Sequence, residues 1–254
     1  MVDEYDTPVI EGELKGYYEE ISNFMDAFLG EGLKGNNVIF KGIVTGITKL
    51  QGTVIFSGVN SVRNCTIFDS AYKDKFGFTE KEVQELLKSY GMKEKEENVR
   101  KHYNGYNFRG EVIYNPYSVL SYMDQKELGN FWLNSSKNDL ARKKVQDLLE
   151  MKGDETLRKE VEGLLQGAKV RVKIREELNI SEKMKSVDIL NLLLYSGYLK
   201  YENYFKNGSV GYADVSIPNL EIKAVYDLSI EKWMEREYTK EEIGELNKFL
   251  DVVC

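Results

Sequence analysis

In the stretch NNVIFKGIVTGITKL, residues 38–44 form a short β-rich run that is hydrophobic on both faces. A strand without a polar face must be covered on both sides, a condition met in parallel α/β sheets. The run therefore predicts a buried parallel strand. CTIF at 65–68 is a second, shorter strand candidate.

Upstream, Pro8 and Gly12 are expected to break the chain. Leu14, Tyr17, Tyr18, Ile21, Met25 and Phe28 then recur at helical spacing, with a stop at Gly30. Beyond residue 76, Thr79 and Glu82 make a capping box, and Val83, Leu86, Leu87 and Tyr90 form one helical face ending at Gly91. KEKEENVRK reads as a solvated connection, Asn104-Gly105 as a tight turn, and YNPYSVLSYM as a turn entering a helix. Residues 139–167 read as two amphipathic helices broken at Gly153. Leu140, Val145, Leu148 and Leu149 face inward in the first, and Leu157, Val161, Leu164 and Leu165 in the second. KVRVKI alternates with period two, so Val170, Val172 and Ile174 share one face.

In the last third, VDILNLLLYSGYL predicts a helix running into a strand near Tyr198. Asn207-Gly208 turns a hairpin, and Pro218-Asn219 opens a helix with Ile222, Val225, Tyr226, Ile230 and Trp233 inside. A final helix is capped by Thr239 and Glu242. Helix, hairpin, helix is compatible with a winged-helix unit.

Charge and composition narrow the function classes. A net charge of −7 argues against a large duplex-DNA surface, which needs a basic field. The cysteines, Cys65 and Cys254, are far apart and the one histidine is His102, so no zinc-like spacing exists. A reducing cytosol fits this cysteine usage. No apolar run approaches a membrane span, and the acidic N-terminus has no signal-peptide core. A cytoplasmic chain is expected.

VDEYD places Asp3, Glu4 and Asp6 together. In P-loop ATPases a strand ending in Asp-Glu holds Mg²⁺ through water and polarises the attacking water. Taken alone, the same residues read as a solvated acidic end. Such an enzyme also needs GxxxxGK[ST], whose backbone N–H groups cradle phosphates. No match occurs; GEGLKGNN is Gly-rich but lacks the Gly-Lys-Ser/Thr end. The Thr45 hydroxyl, in TGITK, could position water beside a phosphate, although a Thr-Gly at a strand end is commonly a turn. Lys49, Arg63 and KVRVKIR could contact phosphates, the last reading also as a charged strand edge. Asp214 followed by the EIK of Glu221 to Lys223 loosely mimics a metal-dependent nuclease pattern. Glu221 and Lys223, however, fall in the first turn of an expected helix, where an acid complements the dipole. The Tyr-rich stretches YNGYNF and YENYF could stack on bases or form core.

Eight stretches in order resemble the AAA-ATPase-like proteins of bacteria and some archaea: VDEYDTP (2–8), KGIVTGITKLQGTVIFSGVNSV (41–62), FGFTEKEV (76–83), YNGYNF (103–108), VIYNPYSVL (112–120), FWLNSSKNDL (131–140), LLLYSGYL (192–199) and SIPNLEIKAVY (216–226). The resemblance implies a P-loop ATPase region, often followed by a restriction-endonuclease-like nuclease domain. It assigns Asp3 to the metal, Glu4 to water activation and Thr45 to sensing the γ-phosphate. Where the family commonly has an arginine near position 49, this chain has Lys49, and an arginine-like bidentate contact is lost.

The expected fold is mixed α/β and mostly helical: the C-terminal half of a P-loop NTPase domain over 1–75, a helical region with short strands over 76–184, and a winged-helix-like unit with a final helix over 185–254. The resemblance makes this chain the middle of a longer protein, without the phosphate loop and the nuclease. ATP and Mg²⁺ are then cofactors of the intact family member, and this chain is expected to bind neither tightly nor to hydrolyse ATP. An exposed sheet edge implies self-association. A protein partner or a fused nuclease is the other expected contact. The rival readings are a protein- or nucleic-acid-binding module over about 185–235 and an inactive structural remnant.

Overall fold

A computed structural model describes residues 1–34, 36–47, 49–50, 62–132, 155–178 and 184–237. Helix α1 (Thr7–Lys15) ends at Gly16, whose φ of 80 lies in the left-handed region, and α2 (Tyr18–Leu33) follows at once. Pro8 and Gly12 do not break the chain as expected; both lie inside α1. Proline is tolerated in a first turn because its missing N–H has no intrahelical acceptor there. Gly12 sits where α2 folds back: a Cβ would meet the Ile21 side chain and lie 3.2 Å from the Tyr18 Cα. Gly30 does not stop α2, which buries Met25 and Leu29 and runs on to Leu33.

The buried strand expected over 38–44 is not formed. Val38 is 93% exposed, and Ile39, Phe40 and Ile43 are exposed too. Val44 makes one isolated parallel bridge to Val2: the Val2 N–H donates to Ile43 O and the Thr45 N–H to Val2 O, each at 2.9 Å. Two-faced hydrophobicity marks a segment that gains from cover. Whether cover exists depends on neighbours remote in sequence, and among the described residues the bridge to Val2 is the pairing this run makes. CTIF is not a strand either. Thr66 N and Oγ1 both donate to Asp69 Oδ2 (2.7 and 3.0 Å), and this turn packs the Phe68 ring 4.6 Å from those of Tyr201 and Tyr204. A short strand β1 (Lys49–Leu50) comes between.

A smaller core follows, built from β2 (Phe78–Thr79), α3 (Glu80–Ser89), α4 (Glu96–Tyr103), β3 (Tyr106–Phe108), β4 (Glu111–Tyr114) and α5 (Pro116–Gln125), with the strands antiparallel in the order β2-β4-β3. The capping box of α3 is present with both bonds, Glu82 N–H to Thr79 Oγ1 and Thr79 N–H to Glu82. Val83 and Leu87 are buried as expected, whereas Tyr90 is exposed. KEKEENVRK is not a solvated connection but a 3₁₀ turn (Lys93–Lys95) leading into α4. Val99 and Tyr103, four residues apart, are its buried stripe. The charges that suggested a linker decorate the outer face, where Arg100 pairs with Glu80 at 2.6 Å.

Asn104-Gly105, expected as a tight turn, does not join two strands. The β3–β4 turn is Arg109-Gly110, with φ of 50 and 89, and Gly105 is the joint between α4 and β3. YNPYSVLSYM enters a helix as expected, and Asn115 caps this α5, accepting from Tyr117 N at 2.9 Å.

The larger core is built by α6 (Glu155–Leu165), β5 (Val170–Ile174), β6 (Glu177–Leu178), α7 (Ser186–Tyr195), β7 (Lys200–Asn207), β8 (Val210–Ser216) and α8 (Leu220–Glu237). Leu157, Val161 and Leu164 are buried on α6, and Val170, Val172 and Ile174 are buried on β5 with Arg171 and Lys173 exposed, as the periodicities require. The sheet is antiparallel in the order β5-β8-β7, and β6 pairs in parallel with β1. The hairpin turns at Asn207-Gly208, with Gly208 at φ 61. Helix α7 is buried all round from Asp188 to Leu194, which marks it as the central helix. Its Asn191 is satisfied by Arg175 N, Lys173 O and Val187 O at 2.7–3.0 Å, which locks α7 to the end of β5. Tyr5, Val9, Met25 and Leu29 join this same core, so α1 and α2 pack on it directly. Leu140, Val145, Leu148, Leu149, Gly153, the side chains of Ile230 and Trp233, and the helix of Thr239 and Glu242 lie outside the described residues.

Candidate functional site

The Val2–Val44 bridge brings the two N-terminal motifs together. Across it the Thr45 hydroxyl donates to the Asp3 carboxylate. The Glu4 N–H lies 3.4 Å from Thr45 Oγ1, and the Tyr5 N–H donates to Thr45 O at 3.0 Å. Glu4 itself sits at φ 52, left-handed for a residue with a Cβ, and its carbonyl accepts from Thr7 N at 3.1 Å. This kink turns the chain from the bridge into α1. Non-glycine residues hold such a conformation at a cost of about 1–3 kcal/mol, and the surrounding bonds must maintain it.

Asp6 explains how they do so. It stands at the N-cap of α1 yet caps nothing there: Pro8, two residues on, has no N–H to offer. Its carboxylate, 1% exposed, instead accepts from Ile47 N at 2.8 Å. Gly46 permits this approach, because a Cβ there would lie 2.7 Å from Asp6 Oδ1 and from the Tyr5 ring. Thr45, Gly46 and Ile47 are thus clipped to Asp3, Glu4 and Asp6 by side chains of both segments. Asp6→Ala leaves the Ile47 N–H unpaired and is expected to cost about 2 kcal/mol. The Ile47 amide should exchange faster with solvent deuterium; an unchanged exchange rate and denaturation midpoint would contradict this role.

Asp3 and Thr45 together offer a carboxylate and a hydroxyl oxygen, both in reach of solvent. This donor set fits Mg²⁺, which takes one or two carboxylates and completes its shell with water and substrate phosphate. Among the described residues, no group of three or more His, Cys, Asp or Glu side chains converges as for a protein-only metal site.

The other sequence candidates are placed differently. Lys49 forms an ion pair with Glu177 on the adjacent parallel strand β6, a partner 128 positions away that no local pattern announces. Arg63 is exposed on the segment leading to Cys65. His102 lies on α4, half-buried, with Nδ1 3.2 Å from Asn98 O. Asp214 and Glu221 do not form a nuclease pair. Asp214 is held by Arg171 (2.9 Å) and Asn203 (3.1 Å), which lower its carboxyl below the ordinary carboxylate value. Glu221 is 1% exposed and accepts from Ser118 Oγ (2.7 Å) and Trp132 N (2.8 Å). Burial pushes its carboxyl above the ordinary value. The clip through Asp6 is the part the sequence reading left without a role. Its one legible signal is the Thr-Gly-Ile that follows a chain segment facing a second acidic residue in VDEYD.

An uncharacterized protein encoded in the vnfD 5′ region of Azotobacter chroococcum mcd 1 is 25% identical over 232 residues, covering 88% of this chain and 41% of that protein. The chain therefore spans about two-fifths of the length of the curated relative it matches. No solved structure matches. Residues 1–56, which contain Asp3, Glu4, Asp6 and Thr45, match the model of the AAA-ATPase-like family, described as predicted AAA-ATPases.

Proposed function

We propose that residues 1–50 carry the magnesium- and water-facing half of an ATPase centre. The observation that supports this is the contact of the Thr45 hydroxyl with the Asp3 carboxylate across the Val2–Val44 bridge. In this reading Asp3 holds Mg²⁺ through water, Glu4 polarises the attacking water, and Thr45 reports on the terminal phosphate. Mg²⁺ would neutralise charge on the phosphates as they separate. The chain's own part is positioning: the Asp6–Ile47 bond and the Glu4 kink fix the two segments before nucleotide arrives, and phosphoryl transfer depends chiefly on such positioning. Lys49 would have to leave Glu177 to reach a phosphate.

No GxxxxGK[ST] occurs in these 254 residues, so the phosphate cradle is a part this chain does not itself supply. Calorimetry of the chain with MgATP is expected to show no binding tighter than about 1 mM. Joined after a GxxxxGK[ST]-containing segment of this family, the chain is expected to hydrolyse ATP. Asp3→Ala and Glu4→Gln should each lower that rate by about 100-fold or more. Full hydrolysis by the Asp3→Ala protein would sink the assignment.

The helix–hairpin–helix of α7, β7, β8 and α8 is read as a winged-helix-like unit serving contacts within the protein rather than DNA. Glu221, in the first turn of α8, is spent on Ser118 and Trp132, and the exposed Lys223 and Asp227 that follow carry no basic excess.

A further inference from the structure

A cavity of about 240 Å³ opens where β3, β4, the start of α5, Trp132 and the α7–β7 corner meet. Five of the eight stretches that carry the family resemblance supply a wall of it, through Phe76, Tyr106, Asn115, Trp132 and Ser196. These residues are up to 120 positions apart in sequence, and they converge on this one space.

The lining is aromatic but not inert. Ser196 is 8% exposed, and its hydroxyl has no hydrogen-bond partner. As placed, the hydroxyl oxygen is closed off from the cavity; a change of side-chain rotamer would present it there, and a bound acceptor would then recover the free energy that an unpartnered buried hydroxyl costs. Asn107 and Asn115 also line the cavity. Their side-chain oxygens are committed, to Gly110 N at 2.7 Å and to Tyr117 N at 2.9 Å, so what they can still offer is amide N–H. The charged residue of the lining is Lys200, whose ammonium is 3.5 Å from Glu202; no carboxylate lines the cavity. Donors and one cation among aromatic rings suit a ligand with a flat apolar body and an anionic, acceptor-rich end. The volume is below that of most drug-sized pockets and holds about a dozen non-hydrogen atoms.

We propose that this cavity is a binding site for a small aromatic carboxylate, its ring against the Tyr106 and Trp132 walls and its carboxylate taken by Lys200, Ser196 and the asparagine amides. This does not rest on the ATPase reading, and the two can fail separately.

Cinnamate is a suitable probe, with cinnamamide as its uncharged counterpart. Calorimetry on the full chain is expected to show saturable cinnamate binding at about 1 mM or tighter, with cinnamamide about 10-fold weaker. Lys200→Gln should abolish the difference between the two probes, and Ser196→Ala should weaken cinnamate several-fold. The Lys200 side chain is partly exposed and its pair with Glu202 is a surface contact of little worth, so its variant should shift the denaturation midpoint only slightly. Equal affinity for both probes, cinnamate binding unchanged in Lys200→Gln, or no saturable heat with cinnamate would each overturn the proposal.

Discussion

Gly105→Ala is expected to destabilise the protein by about 3 kcal/mol or more, seen as a large drop in the urea midpoint. Two costs combine at this position. Gly105 sits at φ 120, where a Cβ is strained whatever the surroundings. That Cβ would also collide with the Pro218 carbonyl oxygen and lie 3.0 Å from its carbon. The obstacle is backbone, held in place because the neighbouring Asn219 donates from Nδ2 to Asn104 O (2.9 Å) and accepts from Ile222 N (2.9 Å) to cap α8. Neither side of the contact can retreat without unlatching α8 from the α4–β3 joint. Gly110 is the control. It too has a left-handed φ, 89, but open space surrounds it, so Gly110→Ala should cost about 1 kcal/mol. Equal effects of the two substitutions would show that strain alone matters and that the contact with Pro218 is dispensable.

Glu221→Ala is expected to cost a similar amount, about 3 kcal/mol, because the hydroxyl of Ser118 and the N–H of Trp132 both lose their acceptor. Ser118 belongs to α5 and Glu221 to α8, so this carboxylate joins the smaller core to the larger. It also imposes a pH dependence. Burial raises the Glu221 carboxyl above its ordinary 4.5, so the folded state holds this proton more tightly than the unfolded chain does. The resulting stability is fully present below pH 4.5 and is lost as pH rises through the raised value. Glu221→Gln removes the titration while keeping one acceptor oxygen. The melting temperature of the parent should therefore fall relative to that of Glu221→Gln as pH is raised from about 4.5 towards neutrality. Parallel curves for the two proteins would show that Glu221 does not titrate differently on folding.

Both cases involve residues whose sequence signals pointed elsewhere. Asn104-Gly105 reads as a tight turn, but it joins α4 to β3, and the β3–β4 hairpin turns five residues later at Arg109-Gly110. The dipeptide encodes a left-handed backbone, and what it turns against, here Pro218, comes from another part of the chain. Glu221 reads as a first-turn acid that complements a helix dipole, and nothing local announces that α5 and Trp132 bury it. Asp3 and Thr45 are 42 positions apart, and it is the Val2–Val44 bridge, not a local pattern, that brings them into contact. Lys49 was legible as a cation, and its engagement by Glu177 was not.

The sequence by itself determined the elements whose own periodicity closes the question: the capping box of α3, the alternation of β5, the stripe of α6 and the hairpin at Asn207-Gly208. Each is decided by bonds or faces within a few residues. Tertiary structure alone decided whether a hydrophobic run is covered, which joint a glycine occupies and which partner a charge meets. Residues 38–44 and α7 make the contrast. Both are hydrophobic on every side; α7 is enclosed by β5, β6 and the rest of the larger core, and residues 38–43 are left largely in solvent. Hydrophobicity sets how much free energy cover would release, and only the rest of the chain can supply the cover.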